Sequence, residues 1–238
     1  MSKENIIVYG ITRSATTLLT HLIRLGLNSP NRSEAFQPAP DFQKFSHEEF
    51  LRERRYFIDL EIDKYNFQSG SDDILVLNMH ANFLNDFSES QLERWISVLK
   101  NRDFHIIELR RQNFRELVFS NYIASETGEF INYSRIPKKF IAKREKLKSF
   151  IKLLLTLQNK IDKGLWGIPV NQKVTMEEFL RDGKFTINGK DFFIDDIPIG
   201  YLKSNIAPKK SDCIENYEEA LEMYNELYQE LTDDKFYI

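Results

Sequence analysis

Apolar and polar positions near the N-terminus follow the pattern of a buried strand, a tight loop and an amphipathic helix. Residues 6–8 form a short β-branched run, which predicts a buried parallel strand. Gly10 ends this run and lets the backbone turn without a Cβ clash. Apolar residues then recur at helical spacing from Leu18 to Leu25, and Gly26 is expected to end the helix. A unit of this kind directs backbone N–H groups and a helix dipole at one point, which favours the binding of an anion.

The same periodicities continue along the chain and predict an alternation of strands with helices. Further buried strands are predicted over residues 74–80 and 104–109, and a strand passing into a short helix over residues 174–180. The predicted helices run from Ser46 to about Leu60, from Ser88, within 135–160 and within 212–238. A β-hairpin at about 184–195 is predicted around Asn188-Gly189. This order favours a three-layer α/β/α fold with a central parallel sheet.

Composition sets limits on the organisation and the partners of the chain. Its 238 residues are expected to form a single domain, 1–238, with a polar insertion at about 28–70 in which Ser33 is interpreted as loop. Residues 135–160 carry nine Lys or Arg against one acid. The net charge of −3 nevertheless leaves no global basic field, so nucleic-acid binding is not expected and this basic helix is interpreted as a solvated face.

The apolar runs and the single cysteine predict the compartment. No apolar run approaches the ~18 residues of a membrane span, so no span is expected. One cysteine, Cys213, is typical of a reducing compartment, and the first strand begins close to Met1. These features together predict a cytoplasmic protein. Its oligomeric state stays open, with a homodimer as one option.

The first loop differs from the two common nucleotide-binding loops. A P-loop has Gly-Lys-Ser/Thr five residues after its first glycine, whereas Ala15-Thr16-Thr17 stands there and the lysine is missing. The loop is not a G-x-G-x-x-G sequence either. Its donors are backbone N–H groups, the hydroxyls of Thr16 and Thr17, and the cation of Arg13. The alternative is an ordinary strand–turn–helix unit with a Ser/Thr cap.

This loop resembles the 5′-phosphosulfate loop of the sulfotransferases, which runs roughly Pro-Arg/Lys-Ser-Gly-Thr-Thr-Leu-Leu. The matching segment is Thr12-Arg13-Ser14-Ala15-Thr16-Thr17-Leu18-Leu19. It departs from the family pattern at Thr12, which replaces Pro, and at Ala15, which replaces Gly. If position 15 requires a positive φ, the Cβ of Ala15 is costly, whereas in a helical conformation alanine is harmless.

A second segment adds to the resemblance. The strand at 104–109 runs into Arg110-Arg111, and Ser120 follows Arg111 by nine residues. Sulfotransferases bind the 3′-phosphate of their donor with an arginine and a serine at this spacing, and the pattern here looks most like the bacterial trehalose-type carbohydrate sulfotransferases. Arginine suits this role because its planar fork matches phosphate and keeps its charge. A solvated basic helix start is the alternative reading of this segment alone.

The resemblance implies a P-loop-like sulfotransferase fold and a donor, 3′-phosphoadenosine 5′-phosphosulfate. The sulfuryl group passes to a hydroxyl or amine of a carbohydrate or other small acceptor, without a metal, and leaves adenosine 3′,5′-bisphosphate. The donor-binding residues that it implies are Gly10, Thr12, Arg13, Ser14, Ala15, Thr16, Thr17, Arg110, Arg111 and Ser120. Lys209 and Lys210 occupy the place of the family's basic loop over the donor phosphates, or form a solvated loop.

Two residues compete for the role of general base beside the catalytic cation Arg13. Glu34 lies where trehalose-type sulfotransferases place a glutamate, and His80 ends Asn78-Met79-His80, which resembles the Lys-Thr-His of cytosolic sulfotransferases. Glu34 is slightly favoured because the second segment also points to the trehalose-like branch. The rival functions are a P-loop nucleotide kinase or NTPase, disfavoured by the missing lysine, and a non-catalytic nucleotide-binding protein of sulfotransferase fold, which Thr12 and Ala15 keep open.

Overall fold

A parallel sheet forms the centre of the computed structural model, which describes residues 5–29, 33–36, 47–67, 74–128, 139–197 and 209–233. Its strands in chain order are β1 (Asn5–Gly10), β2 (Ser33–Ala35), β3 (Val76–His80), β4 (Phe104–Arg110) and β5 (Gln172–Thr175). They lie in the order β2-β3-β1-β4-β5, and every neighbouring pair is parallel. The predicted α/β class with a parallel central sheet is therefore confirmed. The first loop leaves β1 where the strand order reverses, which is where open α/β sheets bind ligands.

Helices cover both faces of this sheet. They are α1 (Thr16–Leu27), α2 (His47–Phe67), α3 (Glu89–Asn101), α4 (Phe114–Thr127), α5 (Arg144–Asp162), α6 (Met176–Asp182), α7 (Lys210–Cys213) and α8 (Tyr217–Asp233). Short 3₁₀ helices follow β3 at Ala81–Asp86 and the hairpin at Ile194–Asp196. The hairpin, β6 (Lys184–Ile187) and β7 (Lys190–Phe193), is antiparallel as predicted. Within the described ranges, no helix combines the length and the apolar character needed to cross a bilayer.

Alternating residues of β1 divide the core into two halves. Ile7 and Tyr9 face the larger half, to which α2, α3, α4, α5 and α8 contribute. Ile6 and Val8 face the smaller half, which contains residues of α1, α6 and the hairpin. This arrangement is consistent with a three-layer α/β/α fold. Each half buries apolar side chains against one face of the sheet, which is the dominant favourable contribution to folding.

Two expectations about the first crossover are wrong. Ser33 belongs to the edge strand β2, which pairs with β3, and does not lie in a loop. Helix α1 continues past Gly26 to Leu27, and Asn28 with a φ of 51° forms its C-cap. Asparagine tolerates this left-handed conformation and ends a helix as glycine does. The helix at 47–67 also runs one to two turns beyond the predicted end at Leu60.

Gly26 instead provides space for the hairpin. A Cβ at this position would lie 2.6 Å from the ring of Phe192, which is buried. Lys190 on the same strand donates from Nζ to the carbonyl oxygen of Gly26 at 2.6 Å. The hairpin therefore packs on α1, the helix that begins at the first loop, and this gives a structural role to an element whose role the sequence did not indicate.

The basic segment pairs with acidic residues of the last helix. Arg144 and Lys148 of α5 contact Glu226 and Glu230 of α8, each at 2.6 Å. These pairs are exposed, and exposed pairs contribute little to stability. They agree with the interpretation of this helix as a solvated face.

Candidate functional site

The first loop leaves β1 through a glycine that strand β4 approaches closely. A Cβ at Gly10 would lie 2.4 Å from the carbonyl oxygen of Leu109 and 3.0 Å from Cγ2 of Thr16. Gly10 still belongs to β1 and has no positive φ. The absence of a side chain is therefore required by the neighbouring strand and helix, and not by the turn itself.

Two residues of the loop adopt left-handed backbone conformations. Arg13 has a φ of 73°, and Ala15 has φ 63° and ψ 20°. Between them the N–H of buried Ser14 donates to the carbonyl oxygen of Ile11 at 3.1 Å. Position 15 therefore requires the conformation that glycine adopts most easily, and Ala15 holds it at a cost of about 1–2 kcal/mol.

The start of α1 has no side-chain cap in the described part of the chain. Its N-cap residue is Ala15, and its first turn contains no acidic residue. The Ser/Thr cap of the ordinary strand–turn–helix alternative is therefore not observed. By contrast, Ser88 and Thr175 form capping boxes at the starts of α3 and α6. The first-turn N–H groups of α1 face the loop, where an anion would be favourable.

Helix α4 contacts the loop through two neighbouring polar residues. Ser120 accepts a hydrogen bond on Oγ from Nε of Arg13 at 3.3 Å. Asn121 donates from Nδ2 to the carbonyl oxygen of Thr12 at 3.0 Å. The structure thus brings together the two predicted segments, which are separated by about 100 residues in the sequence. Asn121 was missed by sequence analysis, although a buried amide beside Ser120 on an otherwise apolar stretch of helix is a detectable signal.

Cationic side chains converge beside this contact. Arg111 donates from Nη1 to the carbonyl oxygen of Arg13 at 3.4 Å and from Nη2 to Glu116 at 3.5 Å. Lys210 contacts the same carboxylate at 3.1 Å, whereas Lys209 is exposed. Burial and the charge of Arg111 lower the pKa of Arg13 to about 10. Burial also lowers the pKa of Arg111, although Glu116 and Glu177 act in the opposite direction.

Arg110 has different partners from Arg111. Its guanidinium donates to the carboxylates of Glu108 and Asp162, and so links the end of β4 to the end of α5. Although burial lowers the pKa of Arg110, these carboxylates raise it more. The structure does not bring Arg110 into contact with Arg13 or Ser120. Both arginines line a small pocket, together with Ile11, Ser14, Glu108, Leu109, Leu117, Gln158 and Ile161.

The junction between β4 and α4 is held by an acidic side chain from another helix. The carboxylate of Glu177 accepts hydrogen bonds from the backbone N–H groups of Gln112 at 3.0 Å and Asn113 at 3.1 Å. Asn113 in turn caps α4 by accepting from the N–H of Glu116. Burial tends to raise the pKa of Glu177, but backbone N–H donors, with those of Gln112 and Asn113 first, and the charge of Arg111 together lower it.

The candidate bases lie at the carboxyl end of two neighbouring strands. Glu34 pairs with Asn78 in the register of β2 and β3, and His80 ends β3 in a buried position. Nδ2 of Asn78 lies 3.1 Å from Oγ1 of Thr17 and 3.4 Å from Nε2 of His80. Asn78 therefore joins the first turn of α1 to one candidate base.

Comparison with known proteins adds no relative to this description. The chain matches no known family model, and no curated protein matches it significantly. The resemblance to sulfotransferases therefore rests on the residues of the two sequence segments.

Proposed function

We propose that this protein is a sulfotransferase that takes a sulfuryl group from 3′-phosphoadenosine 5′-phosphosulfate. The observation that carries the proposal is the convergence of Arg13 and Arg111 beside Ser120. These residues come from two separate strand-to-helix junctions, and each junction matches a donor-binding segment of that family. The parallel sheet and the position of the loop at the strand ends are compatible with the sulfotransferase type of P-loop-like fold.

The electrostatics of the convergence favour a ligand with more than one negative group. Arg13, Arg111 and Lys210 bring three positive charges to a region where Glu116 and Glu177 supply two negative ones. Burial and mutual repulsion lower the pKa of Arg13, so its cation is less stable here than in water. A bound anion would remove this penalty. A donor with a 5′-phosphosulfate at the loop and a 3′-phosphate at Arg111 supplies charge at both junctions.

The proposed reaction transfers sulfur between two oxygens, or from oxygen to nitrogen. The bond from sulfur to the donor's phosphate oxygen breaks while a bond to the acceptor atom forms, and the acceptor's proton passes to a base. Negative charge then grows on the phosphate oxygen, where Arg13 and the loop N–H groups can stabilise it. Glu34 and His80 are the candidates for the base, and a carbohydrate or another small molecule is the proposed acceptor.

The first experiment measures nucleotide preference by thermal shift and calorimetry. Adenosine 3′,5′-bisphosphate at ~100-fold excess over Kd should stabilise the protein by ~2.7 kcal/mol, or roughly 5–10 °C for a chain of this size. ATP with magnesium should stabilise it less, because it offers no 3′-phosphate to Arg111. Greater stabilisation by ATP and magnesium would favour a nucleotide kinase or NTPase and overturn the proposal.

A pair of arginine variants tests where the 3′-phosphate binds. Arg111→Ala should weaken binding of the bisphosphate by ~1.5–3 kcal/mol, the contribution of a charged hydrogen bond. Binding of adenosine 5′-monophosphate should change little. Arg115→Ala is the matched control, because Arg115 is exposed in the first turn of α4 and its loss removes the same charge. Equal losses in both arginine variants would mean that only the overall charge matters.

A further inference from the structure

Glu177 connects α6 to the segment that follows Arg111, and no role for it follows from the loop or the arginine segment. Its carboxylate accepts hydrogen bonds from two consecutive backbone N–H groups, those of Gln112 and Asn113, at 3.0 and 3.1 Å. A carboxylate that accepts backbone donors forms charge-assisted hydrogen bonds, which are stronger than neutral ones. Burial tends to raise the pKa of Glu177, but these bonds, the residue's own backbone N–H and the charge of Arg111 together lower it. The contact therefore clamps the chain immediately after Arg111.

The clamp has a consequence for how a phosphate can be bound at this junction. The N–H groups of Gln112 and Asn113 are satisfied by Glu177, and the N–H of Glu116 is satisfied by Asn113. These backbone donors are thus already used within the protein. At these three positions, recognition of a 3′-phosphate therefore falls to side chains, first of all to Arg111.

The direction of the Arg111 side chain depends on the backbone that Glu177 holds. Arg111 reaches both the carbonyl oxygen of Arg13 and the carboxylate of Glu116, at 3.4 and 3.5 Å. Its Nε is buried and has no hydrogen-bond partner within the described part of the chain. Glu177 also acts on Arg111 through its charge, which raises the pKa of that guanidinium against the effect of burial. The carboxylate thus contributes to both the placement and the charge of Arg111.

We propose that Glu177 is a positioning residue for donor recognition. By clamping the N–H groups of Gln112 and Asn113, it directs the Arg111 guanidinium toward the position of the 3′-phosphate and makes no contact with the donor itself. This inference rests on the proposed function, since it assumes that Arg111 binds the 3′-phosphate of the donor.

The test compares Glu177→Ala with Glu178→Ala. Glu178 is the adjacent residue of α6, carries the same charge and also accepts a backbone N–H, that of Thr175 at 3.1 Å, but it caps only its own helix. The first readout is hydrogen exchange of the Gln112 and Asn113 amides without ligand. The second readout is selectivity, the ratio of the Kd for adenosine 5′-monophosphate to the Kd for adenosine 3′,5′-bisphosphate.

Glu177→Ala should speed exchange of both amides and reduce the selectivity ratio, each by about tenfold or more, as expected for the loss of charged hydrogen bonds. Glu178→Ala should lower the Tm but leave both readouts unchanged. Glu177→Gln, which keeps an acceptor oxygen, should restore part of both. In the wild type, amide protection should persist as the pH falls through ~4.3, the ordinary pKa of Glu, because the folded-state pKa is lowered, and it should be lost only at lower pH.

The outcomes separate this inference from the proposed function. Wild-type protein that does not prefer the bisphosphate overturns both proposals. A preference that survives Glu177→Ala overturns only the role of Glu177 and leaves the proposed function standing. Amides of Gln112 and Asn113 that exchange equally fast in the wild type and in Glu177→Ala would show that the clamp does not form, and would also overturn it.

Discussion

Replacement of Ala15 by glycine should stabilise the protein, because this residue adopts a conformation that side chains disfavour. Its φ of 63° and ψ of 20° place it in the left-handed region, where a Cβ costs about 1–2 kcal/mol. Glycine removes this cost but loses about 0.4–1 kcal/mol through the greater freedom of the unfolded chain. The methyl group of Ala15 packs only partly against the smaller half of the core, so its loss costs a fraction of the ~0.8 kcal/mol of a fully buried carbon. The net gain should be roughly 0.5 kcal/mol.

A control at a second alanine makes this small gain measurable. Ala124 is fully buried in α4, where glycine is less favourable than alanine by about 1 kcal/mol and where the lost methyl adds up to ~0.8 kcal/mol. Ala124→Gly should therefore lower the free energy of unfolding by about 2 kcal/mol. The two variants remove the same atoms but should change stability in opposite directions. Their separation, roughly 2–3 kcal/mol, corresponds to about 5–10 °C in Tm for a protein of this size.

The assay is equilibrium unfolding in urea, followed by fluorescence and circular dichroism, for the wild type and both variants. The slopes of the three transitions should agree, so that differences in midpoint report differences in stability. The reasoning is refuted if Ala15→Gly destabilises the protein as much as Ala124→Gly does, because Ala15 would then behave as an ordinary helical residue. A loop that truly requires a positive φ at this position should also bind the bisphosphate at least as well with glycine.

The remaining predictions concern the hairpin and the base. Gly26→Ala should lower the free energy of unfolding by about 1–3 kcal/mol, because the added Cβ would meet the buried Phe192 ring at 2.6 Å and overpacking outweighs the better helix propensity of alanine; chemical denaturation measures this, and a gain in stability would contradict it. Once an acceptor is known, Glu34→Gln should lower kcat by about 100-fold or more, as removal of a general base does. His80→Asn should lower kcat clearly less. The reverse order in steady-state kinetics would make His80 the base.

The parts of the fold that were predicted are those with a strong local signal. β1, β3 and β4 each contain a cluster of apolar residues that are buried, and α3 has both a capping box and a helical period, so their positions follow from the sequence. β2 has only three residues, Ser33–Ala35, in a polar context, and its strand conformation depends on pairing with β3. Gly26 was misread because its role is set by contact with Phe192, far away in the sequence, and not by the helix that contains it.

In the candidate site, too, contacts between residues far apart in the sequence could not be predicted. The sequence identified Arg13, Arg111 and Ser120, and the structure brings them together. The sequence predicted the strand and short helix that contain Glu177 but assigned no role to this residue, because its partners lie 64 and 65 residues earlier in the chain. The ion pair between Arg110 and Glu108 could have been predicted from the sequence, since Glu108 lies two residues before Arg110 and therefore on the same face of β4. A basic residue at a strand end is better assigned to a ligand only after acidic residues on its own face have been considered.

The contacts between the loop and α4 explain how an unfavourable loop conformation persists before any donor binds. The left-handed conformations of Arg13 and Ala15 each cost about 1–2 kcal/mol. Asn121 holds the carbonyl oxygen of Thr12, and Ser120 and Arg111 hold the side chain and the carbonyl oxygen of Arg13. A typical hydrogen bond contributes about 0.5–1.5 kcal/mol, so these contacts together are comparable to the strain. Because they all come from α4 and the segment that joins it to β4, the two proposed halves of the donor site are mechanically joined. The loop is thus preorganised by the same residues that are proposed to bind the 3′-phosphate, which reduces the ordering that donor binding must supply.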